Sequence, residues 1–304
     1  MRALLIMGPT ASGKSALALS LAERIGGEIV NADSMQVYRD LRVLTARPAP
    51  DEEARVPHHL YGGIDAGTQY STGRWLTDAL AAMGDIAARG QTPIVVGGTG
   101  LYFKALTHGL ADIPASDPDV RDKLRARAAL EGAPALHAEL ARLDPEAAAR
   151  IEPNDAPRAL RALEVWEMTG KTISALQADT KPALGSLAWV GVKLSPDRAR
   201  LYPVIDARFD AMLAQGALNE VRALAARELD PALPAMKAHG APGLMAHLRG
   251  EITLAGAAEI AKRDTRHYAK RQFTWMANQM GDWTEITVGD VASRVAAVSA
   301  ALGR

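Results

Sequence analysis

The chain has 304 residues, 48% of them hydrophobic and 23% charged, which provides a buried core and argues against disorder. It contains no cysteine, which excludes disulfides, thiolate metal sites and a cysteine nucleophile and suits a reducing cytoplasm. Thirty-five basic residues balance thirty-five acidic ones, so any basic surface must be local.

Ala3 to Met7 form the first apolar run. It is too short for a signal peptide's core or a membrane span, so no membrane association is expected. It reads as a buried strand. The stretch GPTASGKS follows, with Gly8, Pro9, Thr10, Ala11, Ser12, Gly13, Lys14 and Ser15 in the spacing of a phosphate-cradling loop. In such a loop backbone N–H groups and a helix N-terminus meet anionic oxygens, a lysine adds a point charge, and a serine hydroxyl can ligate Mg²⁺. The loop reads a diphosphate unit and does not by itself recognise a nucleotide. An ATP-hydrolysing machine, a kinase and a transferase that discards pyrophosphate all stay open. A helix is expected from near Lys14, with Ala16, Leu17, Leu19, Leu21 and Ala22 giving its apolar surface.

A second strand is expected at Glu28 to Asn31, ending at Asp33 and Ser34. An acid at that tip can hold Mg²⁺ through water, act as a general base, or simply cap a helix. His58 and His59 are adjacent and lack a partner at metal-ligand spacing, so they read as structural. A third strand, Ile94 to Val96, runs into Gly97, Gly98 and Thr99. The acid that organises Mg²⁺ and water in NTP hydrolysis is missing there, which argues against an ATPase motor. Strands alternating with helices predict an α/β fold with a parallel sheet flanked by helices, and the three polar tips would share its carboxyl edge.

Pro/Asp-rich breaks at 111–120 and 177–186 bracket an Ala/Leu/Arg/Glu-rich stretch. This predicts a core of residues 1–115 and 185–304 with a helical insertion at 116–184. Strand character returns at 187–195. A helix carries Ile205, Phe209, Met212 and Leu213 to Gly216, and another spans roughly 256–280. Two basic clusters stand out. One holds Arg121, Lys123, Arg125 and Arg127; the other holds Lys262, Arg263, Arg266, Lys270 and Arg271 against only Asp264. On a helix Arg263, Arg266, His267 and Lys270 share one face, either solvated or gripping a nucleic-acid backbone.

Taken in order, GPTASGKS, NADSMQVY (31–38), TARP (45–48), PHHL (57–60), VVGGTGLY (95–102), RALEVWEMTGKTIS (161–174), RFDAML (208–213) and AKRQFTW (269–275) resemble the tRNA dimethylallyltransferase family over nearly the whole chain. The resemblance implies a P-loop NTPase-like sheet. It implies transfer of a dimethylallyl group from dimethylallyl diphosphate to N6 of the adenosine 3′ of the anticodon, with Mg²⁺ assisting and pyrophosphate leaving. The partners would be dimethylallyl diphosphate and a tRNA anticodon stem-loop, met by a cytoplasmic monomer. By motif, Gly8 to Ser15 would hold the diphosphate, Asp33 would be the general base, and Lys14 and Arg208 would meet the leaving group. Asp33, Ser34, Met35, Gln36 and Thr99 would line the base site. Arg121 and the stretch Pro157, Arg158, Ala159, Leu160 and Arg161 would contact tRNA, to which the basic helix adds Arg263, Arg266 and Lys270. The chain departs from the family pattern at Pro157, Val204 and 238–244. A P-loop kinase of a small metabolite, an isopentenyltransferase of free AMP or ADP, and a nucleotide-dependent RNA-binding switch share parts of this pattern. A need for ATP would mark the kinase, and label on AMP the second. The guanine-reading Asn-Lys-x-Asp motif of a switch does not occur.

Overall fold

β1 (Arg2–Met7) is buried from Ala3 onward, as a strand covered on both faces must be. The computed structural model describes residues 2–287 and 289–301. After β1 the loop leads into α1 (Lys14–Ile25), which stops at Gly26, whose N–H returns to the Ala22 carbonyl. Then come β2 (Gly27–Asn31), α2 (Pro50–Arg55), β3 (His58–His59), α3 (Thr72–Ala88), β4 (Thr92–Gly97) and α4 (Gly100–His108). The Ser71 hydroxyl caps α3 by accepting the Arg74 N–H. The insertion carries α5 (Pro118–Glu131), α6 (Ala133–Leu143), α7 (Pro145–Arg150), α8 (Ala156–Thr169) and α9 (Ile173–Ala178). The chain then forms β5 (Ala188–Leu194), α10 (Arg198–Ala214), α11 (Ala217–Ala225), a short 3₁₀ turn at Ala235–Lys237, α12 (Ala241–Leu248), α13 (Leu254–Gln279), β6 (Thr284–Ile286) and α14 (Val291–Ala301).

The chain divides into two compact units, Met1–Ala105 with Ser186–Arg304, and Leu106–Gly185. In the first, six strands form a parallel sheet in the order β3-β2-β4-β1-β5-β6. The ends of β1, β2 and β4 therefore lie side by side at one edge, which is where open α/β sheets bind ligands. The edge strands β3 and β6 are two and three residues long, too short to leave a periodic signal in sequence. His58 and His59 sit on β3. His59 Nε2 meets Glu28 Oε2 at 2.6 Å, and His58 Nδ1 meets the Val56 carbonyl at 2.7 Å. The second unit has its own core, in which Leu124, Leu136, Leu140 and Leu163 pack together. Asp144 ties it locally, accepting the N–H groups of Ala147 and Ser174.

Candidate active site

The turn from β1 to α1 places Ala11 and Gly13 in left-handed backbone, with φ of 64° and 82°. No side chain caps α1, so its first N–H groups are left for an anion. Lys14 Nζ donates to the Pro9 carbonyl of its own loop at 3.3 Å. Arg208, reaching in from α10, donates to Thr10 Oγ1 at 2.5 Å. Burial pulls the Lys14 ammonium down from 10.5 to about 8; Asp33 opposes this and Arg208 adds to it. Burial likewise lowers Arg208, against the pull of Asp33. Two cations crowded onto one loop form a site short of negative charge.

That shortage gives a pH dependence. A bound diphosphate would restore the Lys14 proton, so between about pH 8 and 10.5 the complex holds more protons than the free protein. Diphosphate affinity should fall as pH rises through that window and be insensitive to Lys14 below it. Calorimetry at pH 9 in buffers of different ionisation heat should show proton uptake approaching one per diphosphate. Absence of uptake would contradict the assignment.

Asp33 stands just past β2. Its Oδ1 accepts the N–H groups of Met35 (2.9 Å) and Gln36 (3.4 Å). It thus caps a turn and not the helix that one of the three sequence readings allowed, because residues 34–37 do not go on to form a helix. Oδ2 has no hydrogen-bond partner among the described residues. The Asn31 side chain steadies this tip by accepting the Asp33 N–H and donating to the Asp33 and Leu60 carbonyls. Thr99, after β4, bonds across to Ser34: its Oγ1 accepts the Ser34 N–H at 3.0 Å. The Gln36 amide turns away to the carbonyls of Thr45 and Ala46.

Asp33, Ser34 and Met35 border a cavity of about 180 Å³, far more than the ~10–15 Å³ that one water needs on the same measure, whereas Lys14, Gln36 and Thr99 are not among its lining residues. Thr10, Asp33, Ser34 and Arg208 line its polar side. Met35, Leu44, Ile205, Phe209 and Met212 supply hydrocarbon. Ile205, Phe209 and Met212 lie one helical turn apart on the buried face of α10, beside Arg208. His239 and Tyr268, their rings 4.6 Å apart, line it too, with Thr45, Lys237 and Thr265. Burial, and then Asp33, hold the Tyr268 hydroxyl above its ordinary range, so it stays a phenol. Burial, and then Arg271, hold His239 below its ordinary value, so its imidazole is neutral at pH 7.

Gln272 is a residue that motif reading passed over. It is 4% exposed. Its Oε1 accepts the Thr10 N–H and its Nε2 donates to the Gly98 carbonyl, each at 2.8 Å. One amide on α13 thus clamps the phosphate loop to the loop after β4. A Cβ at Gly98 would fall 2.2 Å from that Nε2, so the clamp requires glycine there. Gln272→Ala should cost about 1–3 kcal/mol for each buried group it leaves unpaired. Urea unfolding would read that loss, and an unchanged midpoint at unchanged slope would contradict it. Arg294 of α14 braces the same loop, donating to the Ser12 carbonyl at 2.6 Å.

A family model described as IPP transferase matches residues 36–279, and one described as isopentenyl transferase matches residues 1–60. The chain belongs to the IPP transferase family. A tRNA dimethylallyltransferase of Nitrobacter hamburgensis is 61% identical over 285 residues, covering 93% of this chain and 90% of that one. A tRNA isopentenylpyrophosphate transferase of Bacillus halodurans, known by crystal structure, is 34% identical with a TM-score of 0.72, covering 99% of this chain and 95% of that one. A eukaryotic dimethylallyltransferase acting on tRNA is 29% identical with a TM-score of 0.83, covering 99% of this chain and 77% of that one.

The remaining tRNA-contact candidates, from the family resemblance in the insertion and from the basic cluster on α13, fall into two places. In the insertion, Pro157 and Arg158 are exposed at the start of α8. Ala159 is fully buried in the local core and Leu160 packs against it, so Ala159 has no side-chain surface to offer a ligand. Arg121 and Arg161 converge on the buried Glu164, at 3.6 and 2.8 Å, with Ser116 hydrogen-bonded to the same carboxylate. On α13, Arg263 and Lys270 are exposed. Arg266 is turned inward: its Nη1 meets both Asp206 oxygens at 2.6 and 2.7 Å. Lys262 meets Asp210 at 2.8 Å. The two pairs tie α13 to α10 on either side of Arg208.

Proposed function

We propose that the protein transfers a dimethylallyl group from dimethylallyl diphosphate to N6 of the adenosine 3′ of the anticodon in tRNA. The observation that carries this reading is a pocket in which Thr10 of a diphosphate-type loop, Arg208, the Asp33 carboxylate and a hydrocarbon wall meet, with Lys14 of the same loop in electrostatic contact with Asp33 and Arg208. The family membership agrees with it. In the step, the N6–carbon bond forms as the allylic carbon–oxygen bond breaks, and pyrophosphate leaves with the bonding pair. One N6 proton passes to Asp33. The exocyclic amine is a poor nucleophile, so stabilising the leaving group matters most. Lys14, Arg208 and the loop N–H groups face the charge that grows there. The apolar residues of α10 would hold the tail. The adenosine would have to leave its stack to reach Asp33.

Among the described residues no group of three or more His, Cys, Asp or Glu side chains could hold a metal. Mg²⁺ would be held by the exposed Ser15 hydroxyl, diphosphate oxygens and water, a set this ion tolerates well. When bound it would neutralise charge on the departing pyrophosphate. No described helix is long and apolar enough to cross a membrane, and the lack of cysteine supports a cytoplasmic setting.

Arg266 acts as a brace for α10, and Lys270 and Arg263 as phosphate contacts. Lys270→Ala should lower the salt slope of log K for tRNA by about one. Arg266→Ala should leave the slope nearly unchanged and weaken diphosphate binding through Arg208. Equal slopes for Lys270→Ala and the parent would make this face of α13 a solvated surface only.

The competing acceptor is free AMP. A helical insertion presenting the exposed Arg158 and the partly exposed Arg121 and Arg161 favours tRNA. Incubation with labelled dimethylallyl diphosphate, Mg²⁺ and either unmodified tRNA or AMP, without ATP, decides between them. Label on tRNA alone is expected. Label on AMP, or a strict need for ATP, would overturn the reading.

A further inference from the structure

Leu44 and Thr45, which line the pocket, belong to a loop held by side chains from two directions. Glu220, on α11, accepts three consecutive backbone N–H groups: Arg42 at 3.0 Å, Val43 at 2.8 Å and Leu44 at 3.0 Å. From the other side the Gln36 amide holds the carbonyls of Thr45 and Ala46. Ala46 is in left-handed backbone, with φ of 54°. A five-residue loop is thereby held by two side chains, one of them a carboxylate reached from 176 to 178 positions away.

The side chain this fixes is Leu44. It lines the cavity and is 5% exposed. It cannot retreat. Added at Gly240, a Cβ would lie 2.9 Å from Phe209 Cε2 and 3.2 Å from Leu44 Cδ1, so both side chains already pack on that backbone. Close-packed interiors yield little to an added methylene. A wall that is both close-packed and backbone-anchored measures the length of whatever hydrocarbon reaches it.

We propose that Leu44, pinned by Glu220 against Phe209 and Gly240, closes the hydrocarbon end of the pocket and restricts the donor to a five-carbon allylic diphosphate. Glu220 is then a positioning residue for donor length. This rests on the pocket being the donor site. The chemistry is unchanged for a longer donor; only the room for its tail differs.

The test compares dimethylallyl diphosphate with geranyl diphosphate, its ten-carbon homologue, as donors to the same tRNA transcript. The parent should favour the shorter donor by at least ~10² in kcat/KM, since each methylene a pocket rejects is worth about 10–200-fold. Leu44→Ala should narrow that ratio at least about tenfold. Glu220→Gln keeps an acceptor for Arg42 and Val43 but turns an NH₂ toward the Leu44 N–H. It should narrow the ratio several-fold, through donor KM, with tRNA affinity unchanged. A general loss of stability would lower both donors together and leave the ratio alone. A parent that uses both donors equally, or an unchanged ratio in the folded variants, would overturn the proposal. A parent that transfers neither group to tRNA would instead remove the donor-site reading beneath it.

Discussion

Asp33→Asn folds normally, binds tRNA and donor within a few-fold of the parent, and loses at least ~10² in single-turnover rate. The argument is one of separable oxygens. Oδ1 is occupied by the N–H groups of Met35 and Gln36, and asparagine can place its own carbonyl oxygen there. The turn should survive. The other position becomes an NH₂, which cannot take a proton. General-base assistance is typically worth about 10²–10⁴-fold, and that is the loss expected. The charge also changes. Asp33 favours the protonated form of Lys14, so its removal should lower the Lys14 pKa further and move the pH window of diphosphate binding downward. A near-normal rate would reduce Asp33 to a turn cap. An intact rate with lost Mg²⁺ dependence would make it a metal-shell residue.

Lys14→Ala should lose about 10²–10³-fold in single-turnover rate, as expected when one preorganised donor to a developing negative charge is removed. Its stability should change little or rise. The ammonium is desolvated and crowded by Arg208, a cost that alanine avoids. Lys14→Ala and Asp33→Asn should therefore differ in kind. The first weakens diphosphate binding and rate together, whereas the second spares binding. Thermal melts beside single-turnover rates with and without saturating donor would read both. A Lys14→Ala protein that is less stable and fully active would reverse the assignment.

The parts of this site that sequence made legible are those built from neighbours along the chain. The spacing of Gly8, Gly13, Lys14 and Ser15 is a local motif, and alternation of strands with helices brings Asp33 and Thr99 to the same sheet edge. The Ser34 N–H to Thr99 bond is a direct product of that edge. What stayed hidden depends on long-range packing. Thr10 and Gln272 are 262 positions apart, and a glutamine within a basic run carries no sign of being buried. Glu220 reads as an ordinary helix-surface acid until the loop it holds is folded over it. The basic face of α13 was overcounted for the same reason. Asp206 and Asp210, which neutralise Arg266 and Lys262, come from a different helix. Ala159 sits within a motif whose polar neighbours face outward, yet helical geometry turns it into the core. The apolar spacing of Ile205, Phe209 and Met212 was visible, but that it faces a cavity was not.

The most direct measurement is the fate of the donor's carbon skeleton on an unmodified tRNA transcript. After reaction with dimethylallyl diphosphate and Mg²⁺ and no ATP, the RNA is digested and its fragments are mapped by mass spectrometry while released pyrophosphate is counted. The account predicts one dimethylallyl group on N6 of the adenosine 3′ of the anticodon, with one pyrophosphate released for each group transferred. Modification at any other nucleotide, pyrophosphate release without transfer, or no product unless ATP is added would contradict it.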